Sequence, residues 1–145
     1  MVPNHPPSAT LRALSVEECW ERIQSHSVGR FAANRPRVGP LVVPVNYQVT
    51  PEQEIVFRSG AGEKLDVVGR GLAVLEVDEV DPLHHTGWSV MVEGTTSWLY
   101  EEQDATTVET WAPGCHPYVV HLTPTHLSGR QIVREQDDED GRGYR

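Results

Sequence analysis

From residue 28 onward the apolar residues recur at every second position or in short unbroken runs, and each run is closed by a turn signal before the next begins. The runs cover residues 28–33, 38–49, 54–59, 72–80, 88–99, 117–122 and 128–133. A polar, Pro-containing turn closes the first at 34–37, and a turn at Thr50-Pro51-Glu52-Gln53 separates the second from the third. Parallel strands need a crossover of a dozen or more residues, usually a helix, between each pair. Only residues 63–69 could supply such an element here, and they allow about two helical turns. The spacing therefore predicts a mainly β chain of antiparallel strands, closed into a small barrel rather than wound as an α/β sheet.

One helix precedes the strands. Ser15-Val16-Glu17-Glu18 is a capping box, with Leu14 before the cap and Cys19 placed to close a hydrophobic staple. A helix to about residue 25 puts Val16, Cys19, Trp20 and Ile23 on one face. Residues 1–13 hold three prolines and no periodicity and read as a flexible arm. Residues 135–145, EQDDEDGRGYR, carry too little apolar surface to fold and read as a disordered acidic tail. Residues 14–134 form the domain between them, and a chain of this length can bury one core without staples. Within the strands, Pro44 predicts an edge or a bulge, and Gly94 a bulge or a close backbone approach.

Charge narrows the partners. With 21 acidic against 12 basic residues and a net charge of -9, the chain is unsuited to nonspecific nucleic-acid binding, which uses Lys and Arg to displace counterions, or to an anionic membrane surface. No apolar run approaches the ~18 residues of a membrane span, and prolines interrupt the N-terminus where a signal peptide would be apolar, so a cytoplasmic location is expected. Cys19 and Cys115 form no C-x-x-C pair and are expected to be reduced, buried or half-buried thiols.

The chemistry concentrates in residues 44–64, PVNYQVTPEQEIVFRSGAGEK. Arg58 and Ser59 end a strand, Gly60-Ala61-Gly62 lets backbone N–H groups turn outward, and Lys64, the sole lysine of the chain, follows at a helix start. Together they suit a phosphate, and a cation at a helix N-terminus, which the macrodipole disfavours, fits an anion beside it. Leu65 stands where a nucleotide P-loop needs Ser or Thr for magnesium. His116, His121 and His126 recur every five residues, which on a strand alternates faces and gives no metal site. Gly87-Trp88-Ser89-Val90-Met91 lacks the second glycine of a nucleophile elbow.

The pieces LSVEECWERI, VGRFA, PVNY, IVFRSGAGEK, LAVLEVDEVDP, GWSVMVEG, WAPG and LTPTHLSGRQI, in that order over residues 14–133, resemble the flavin-binding split-barrel proteins related to pyridoxamine 5'-phosphate oxidase. The likeness is in particular to their short branch, which includes nitroimidazole-resistance-like proteins and many actinobacterial members. The resemblance implies a six-stranded antiparallel split β-barrel with flanking helices, working as a homodimer with FMN in each of two clefts at the interface. Arg58, Ser59 and Lys64 would hold the flavin phosphate, and Pro44, Val45, Asn46 and Tyr47 would lie along the isoalloxazine. Trp88 and Ser89 would approach the flavin where larger members carry Gln and Arg, and Trp111 would close the site from the partner chain. Trp88, Trp111 and Tyr47 could equally be core or interface aromatics. The implied activity is hydride transfer through the flavin to a small substrate, with no catalytic side chain named. A non-catalytic carrier or sensor is the alternative, and some relatives bind deazaflavin or, in a few cases, haem. Ser89 and Met91 replace the polar pair, and the substrate elements of the long oxidases are not recognisable, so oxidation of vitamin B6 is not implied.

Overall fold

The computed structural model describes residues 8–104 and 108–134. Its elements are β1 (Ala9–Ala13), α1 (Val16–Gln24), β2 (Val28–Arg35), β3 (Gly39–Val49), β4 (Ile55–Ser59), α2 (Glu63–Asp66), β5 (Ala73–Asp81), β6 (Thr86–Tyr100) and β7 (Tyr118–Arg134), with one 3-10 turn at Glu101–Gln103. All pairings are antiparallel, in the order β1-β7-β4-β3-β2-β5-β6, and β6 pairs back on β7 to close a ring of six strands. The chain is therefore a mainly β protein with an antiparallel six-stranded barrel and few helices, as its period-two pattern predicts.

The ring is split where β7 changes partner. Residues 118–122 of β7 pair with β4 and residues 130–134 with β1, so the strand edge between them faces neither. Helix α1 fills that gap. Both halves of the capping box form, with Ser15 Oγ accepting from the Glu18 N–H and Glu18 Oε1 accepting from the Ser15 N–H, each at 3.1 Å. Cys19, Trp20 and Ile23 are buried, and Leu14 N–H donates to Gly129 O at 2.9 Å. A Cβ on Gly129 would stand 2.9 Å from Cys19 Sγ, so glycine is what lets the helix seat this closely.

Several expectations are corrected. Residues 9–13 of the supposed arm form β1, because they continue β7's ladder and Arg12 forks onto Glu18 at 2.9 and 3.1 Å. Residues 1–7 and the acidic tail lie outside the described residues. Val16, expected on the buried helix face, is exposed at the first helical position. The two last strands are one 17-residue strand, kept continuous by a register shift opposite Glu93 and Gly94. Helix α2 is a single turn, too short for its dipole to bear on an anion. Cys115 is exposed, and Cys19 alone is buried.

Gly94 makes the close approach expected of it, since a Cβ there would lie 2.1 Å from Thr123 O. Pro44 sits where β3 has only β2 beside it. The β3–β4 pairing begins at Tyr47, so residues 39–46 form a local edge that needs no N–H from Pro44. Inside the barrel, Phe31, Leu75, Val77, Val90, Val92, Val120 and Leu122 are all at most 1% exposed, and Phe31 packs on Phe57 with ring centroids 4.9 Å apart.

Candidate functional site

Alternation decides which side chains of residues 44–64 can meet. On β3, Leu41, Val45 and Tyr47 point into the barrel, while Asn46 and Gln48 point outward. Tyr47 is committed to the core: its hydroxyl donates to Ile23 O at 2.6 Å, and burial raises its pKa. On β4, Phe57 and Ser59 face inward and Val56 and Arg58 outward. Because Gln48 pairs with Val56, the same register carries Asn46 toward Arg58 on the outer face.

The connection between β6 and β7 lies over that outer face. Val108 packs on Val56 and Val119 as a small second core. Trp111 N–H donates to Asn46 Oδ1 at 2.8 Å. Arg58 Nε donates to His116 O at 2.9 Å, and its guanidinium is paired with the Glu101 carboxylate. His121 is paired with Asp104 from the connection and lies 3.8 Å from Glu54. Between β3 and this cover is a cleft of about 430 Å³ lined by Ser27, Asn46, Tyr47, Gln48, Val108, Glu109 and Trp111. Trp111 is 72% exposed at its rim, and Asn46 and Gln48 offer amides within it.

The other predicted residues lie elsewhere. Pro44 is exposed on the β3 edge and Val45 is buried behind it. Ser59 is 1% exposed, and its hydroxyl donates to Gly60 O at 2.7 Å, so Arg58 and Ser59 cannot present side chains to one face. Lys64 is half-buried with its Nζ 5.8 Å from the centroid of the Phe57 ring. Burial lowers its pKa, and no carboxylate is paired with it among the described residues. Near the same corner, a Cβ on Gly60 would meet Cys115 O at 3.2 Å and His116 Nδ1 at 3.9 Å. That nitrogen is buried without a hydrogen-bond partner among the described residues, His116 Nε2 being engaged by Pro113 O at 3.2 Å.

Trp88 and Ser89 are not part of this cleft. Arg58 is opposite Val119 of β7, whereas Trp88 is opposite Gln131, twelve residues further along the strand. Trp88 is instead wedged under α1, its ring edge-on to His26 at 4.9 Å and covered by Arg22 at 5.6 Å. Ser89 lines a separate groove of about 200 Å³ with Asp78, Val80, Arg130 and Ile132 among its walls. Among the described residues no group of three or more His, Cys, Asp or Glu is placed to hold a metal, and no helix is long and apolar enough to cross a membrane.

Trp111, expected to close the site from a partner chain, lies at the cleft of its own chain, and sequence reasoning missed the rest of the cover. Glu101, Val108 and His116 come from a stretch with no period, and only the buried valines 56 and 119 on the outer face signal that something must lie over them. A flat heterocycle with a polar edge and an anionic tail fits what is present. The cleft is within the usual ~300–1,000 Å³ of ligand pockets and has amides on one wall and an indole at its rim. At the neighbouring Gly-rich corner stand a lysine and an imidazole nitrogen that have no polar partner among the described residues.

Comparison with known proteins agrees with this architecture. The family described as pyridoxamine 5'-phosphate oxidase matches residues 15–131. Uncharacterized protein Rv0080 of Mycobacterium tuberculosis is 28% identical, covering 84% of this chain and 86% of its own. The FAD binding protein of Mycobacterium smegmatis superposes with a TM-score of 0.65 at 27% identity, covering 84% of this chain and 98% of its own. An FAD-binding protein of Mesorhizobium loti has a TM-score of 0.69 at 23% identity, covering 88% of this chain and all of its own, and shares the fold.

Proposed function

The chain belongs to the pyridoxamine 5'-phosphate oxidase family, and from that premise we propose that it is an FMN-binding oxidoreductase acting on a small substrate. The observation that carries the reading is the outer-face cleft, where Asn46 and Gln48 stand on one wall and Trp111 at the rim. An isoalloxazine would lie along residues 44–47 of β3, of which 44–46 have no second strand beside them. The phosphate would sit at the Gly60–Gly62 corner. Lys64 is a cation there with no carboxylate paired to it among the described residues, and Arg58 can supply a planar fork of donors. The bound flavin would supply the hydride chemistry, while the protein binds, orients and shields it. The FAD binding protein of M. smegmatis supports a flavin as the class of ligand; FMN is our choice within it, with deazaflavin as the alternative.

We read the working form as a homodimer for the same reason. Trp88 and Ser89 do not line the Asn46 cleft of their own chain and border a separate groove. They could reach that of a second copy, which would complete the site between the two. A carrier or sensor without turnover is the second reading. It is favoured by Trp111, whose exposed ring at the cleft rim could cap a bound flavin against a second ligand.

The test is the absorption spectrum of the purified protein, then release and identification of the chromophore. A colourless protein that takes up no FMN at tens of micromolar would sink the flavin reading. A monomer by sedimentation, with flavin bound, would overturn the dimer. Bleaching by reduced nicotinamide, followed by reoxidation with an acceptor, separates the enzyme from the carrier.

A further inference from the structure

We infer that Glu101 is a specificity-determining residue, an internal competitor whose carboxylate occupies Arg58 in place of a ligand phosphate. The inference rests on the flavin reading above and names the group that controls its phosphate end. Arg58 is the outer-face cation of β4, in line with Asn46 and beside the cleft. Its guanidinium does not stand free. Nε is held by His116 O at 2.9 Å, and the outer edge is taken by Glu101, the one carboxylate paired with it among the described residues.

Glu101 is held in place by the backbone. It follows β6 directly, and its N–H donates to Pro117 O at 2.8 Å, which brings the start of the connection against its end. Its side chain is 50% exposed, against 26% for Arg58. The better hydrated partner is therefore the acid, and solvent weakens its hold on the guanidinium. A carboxylate and a phosphate use the same two parallel N–H groups of a guanidinium, but a phosphate monoester brings about -1.5 to -2 charges and three acceptor oxygens. A phosphate can thus displace Glu101, whereas a ligand without one has nothing to exchange. The exchange costs the free carboxylate little, because it turns into water. The retained bond from Nε to His116 O keeps Arg58 oriented throughout.

The consequence is a preference set by an acid. Glu101 lowers affinity for every anion at Arg58 and leaves the neutral part of the ligand untouched. Glu101→Gln keeps the size and an acceptor oxygen but removes the charge. It should tighten FMN three- to tenfold, about 0.6–1.4 kcal/mol, by fluorescence titration or calorimetry, and leave riboflavin unchanged. Inorganic phosphate should compete with FMN more strongly on the Gln variant. The gain should vanish in Arg58→Ala/Glu101→Gln. Circular dichroism and the melting temperature of each variant show that the barrel is intact.

Equal tightening of FMN and riboflavin, no change, weaker FMN binding, or a gain that persists without Arg58 would each overturn the role given to Glu101. If FMN binds in a Lys64-dependent manner but is indifferent to Glu101→Gln, the flavin reading stands and this inference alone fails. If no variant binds either flavin, the flavin reading itself fails and takes this inference with it.

Discussion

The side-chain oxygen of Asn46 accepts a hydrogen bond from the backbone N–H of Trp111 at 2.8 Å, joining the outer face of β3 to the connection that covers it. An amide within an apolar strand needs partners, and here the partner is the covering backbone. Asn46→Ala should therefore cost about 1 kcal/mol and speed hydrogen exchange at the Trp111 amide. Asn46→Asp, which keeps the acceptor, should preserve its protection. Equal exchange in all three proteins would show that the cover is held by Val108 and Arg58 alone.

What the sequence discloses and what it hides divide along local and non-local physics. The capping box of Ser15 and Glu18, the buried trio Cys19, Trp20 and Ile23, the barrel of antiparallel strands and the tight approach at Gly94 all follow from rules acting over a few residues. Strand β1 was hidden because its five residues are all exposed and are held, among the described residues, by β7 and Glu18. Of residues 44–64 only Asn46, Tyr47 and Gln48 line the cleft, because alternation sends Ser59 inward and Arg58 outward, and Arg58 meets Glu101 and His116 from more than forty residues away.

Glu76 gives the fold a pH dependence of identifiable sign. Burial, followed by a hydrogen bond and repulsion from Asp78, raises its pKa to about 7 against the pull of Arg30, whose Nη1 is 3.4 Å from Glu76 and 3.2 Å from Asp78. A carboxyl raised in the folded state binds more protons there than in the unfolded chain, so its contribution is fully favourable below about 4.5, the unfolded value. Stability is then lost as pH rises through about 7. The melting temperature should fall across that window, and Glu76→Gln should flatten the fall. An unchanged slope in the Gln variant would assign the dependence to another group.

Gly94 should tolerate no side chain. A Cβ would stand 2.1 Å from Thr123 O and 2.8 Å from Thr123 C, both backbone atoms of the long strand that closes the ring. Relief would require separating β6 from β7 at their register shift, the largest interface in the barrel. Gly94→Ala should therefore cost on the order of 4 kcal/mol or more, measured by denaturant titration. A loss under 1 kcal/mol would mean that the bulge relaxes more easily than backbone packing suggests.

Lys64 is the residue on which the phosphate end of the site can be tested most directly. Its ammonium is half-buried beside the Phe57 ring, and burial, with no acid paired to it among the described residues, disfavours its charge. A bound anion would reverse that effect, so ligand binding and retention of the lysine's proton should reinforce one another. Lys64→Ala should weaken FMN by at least tenfold, about 1.4 kcal/mol, and riboflavin by much less. Lys64→Arg keeps the charge and should recover most of the difference. Removing the cation also removes a desolvated charge, so the ligand-free variant should be no less stable than the parent. Equal losses for FMN and riboflavin would instead make Lys64 a packing residue over Phe57 and move the phosphate away from the Gly60–Gly62 corner.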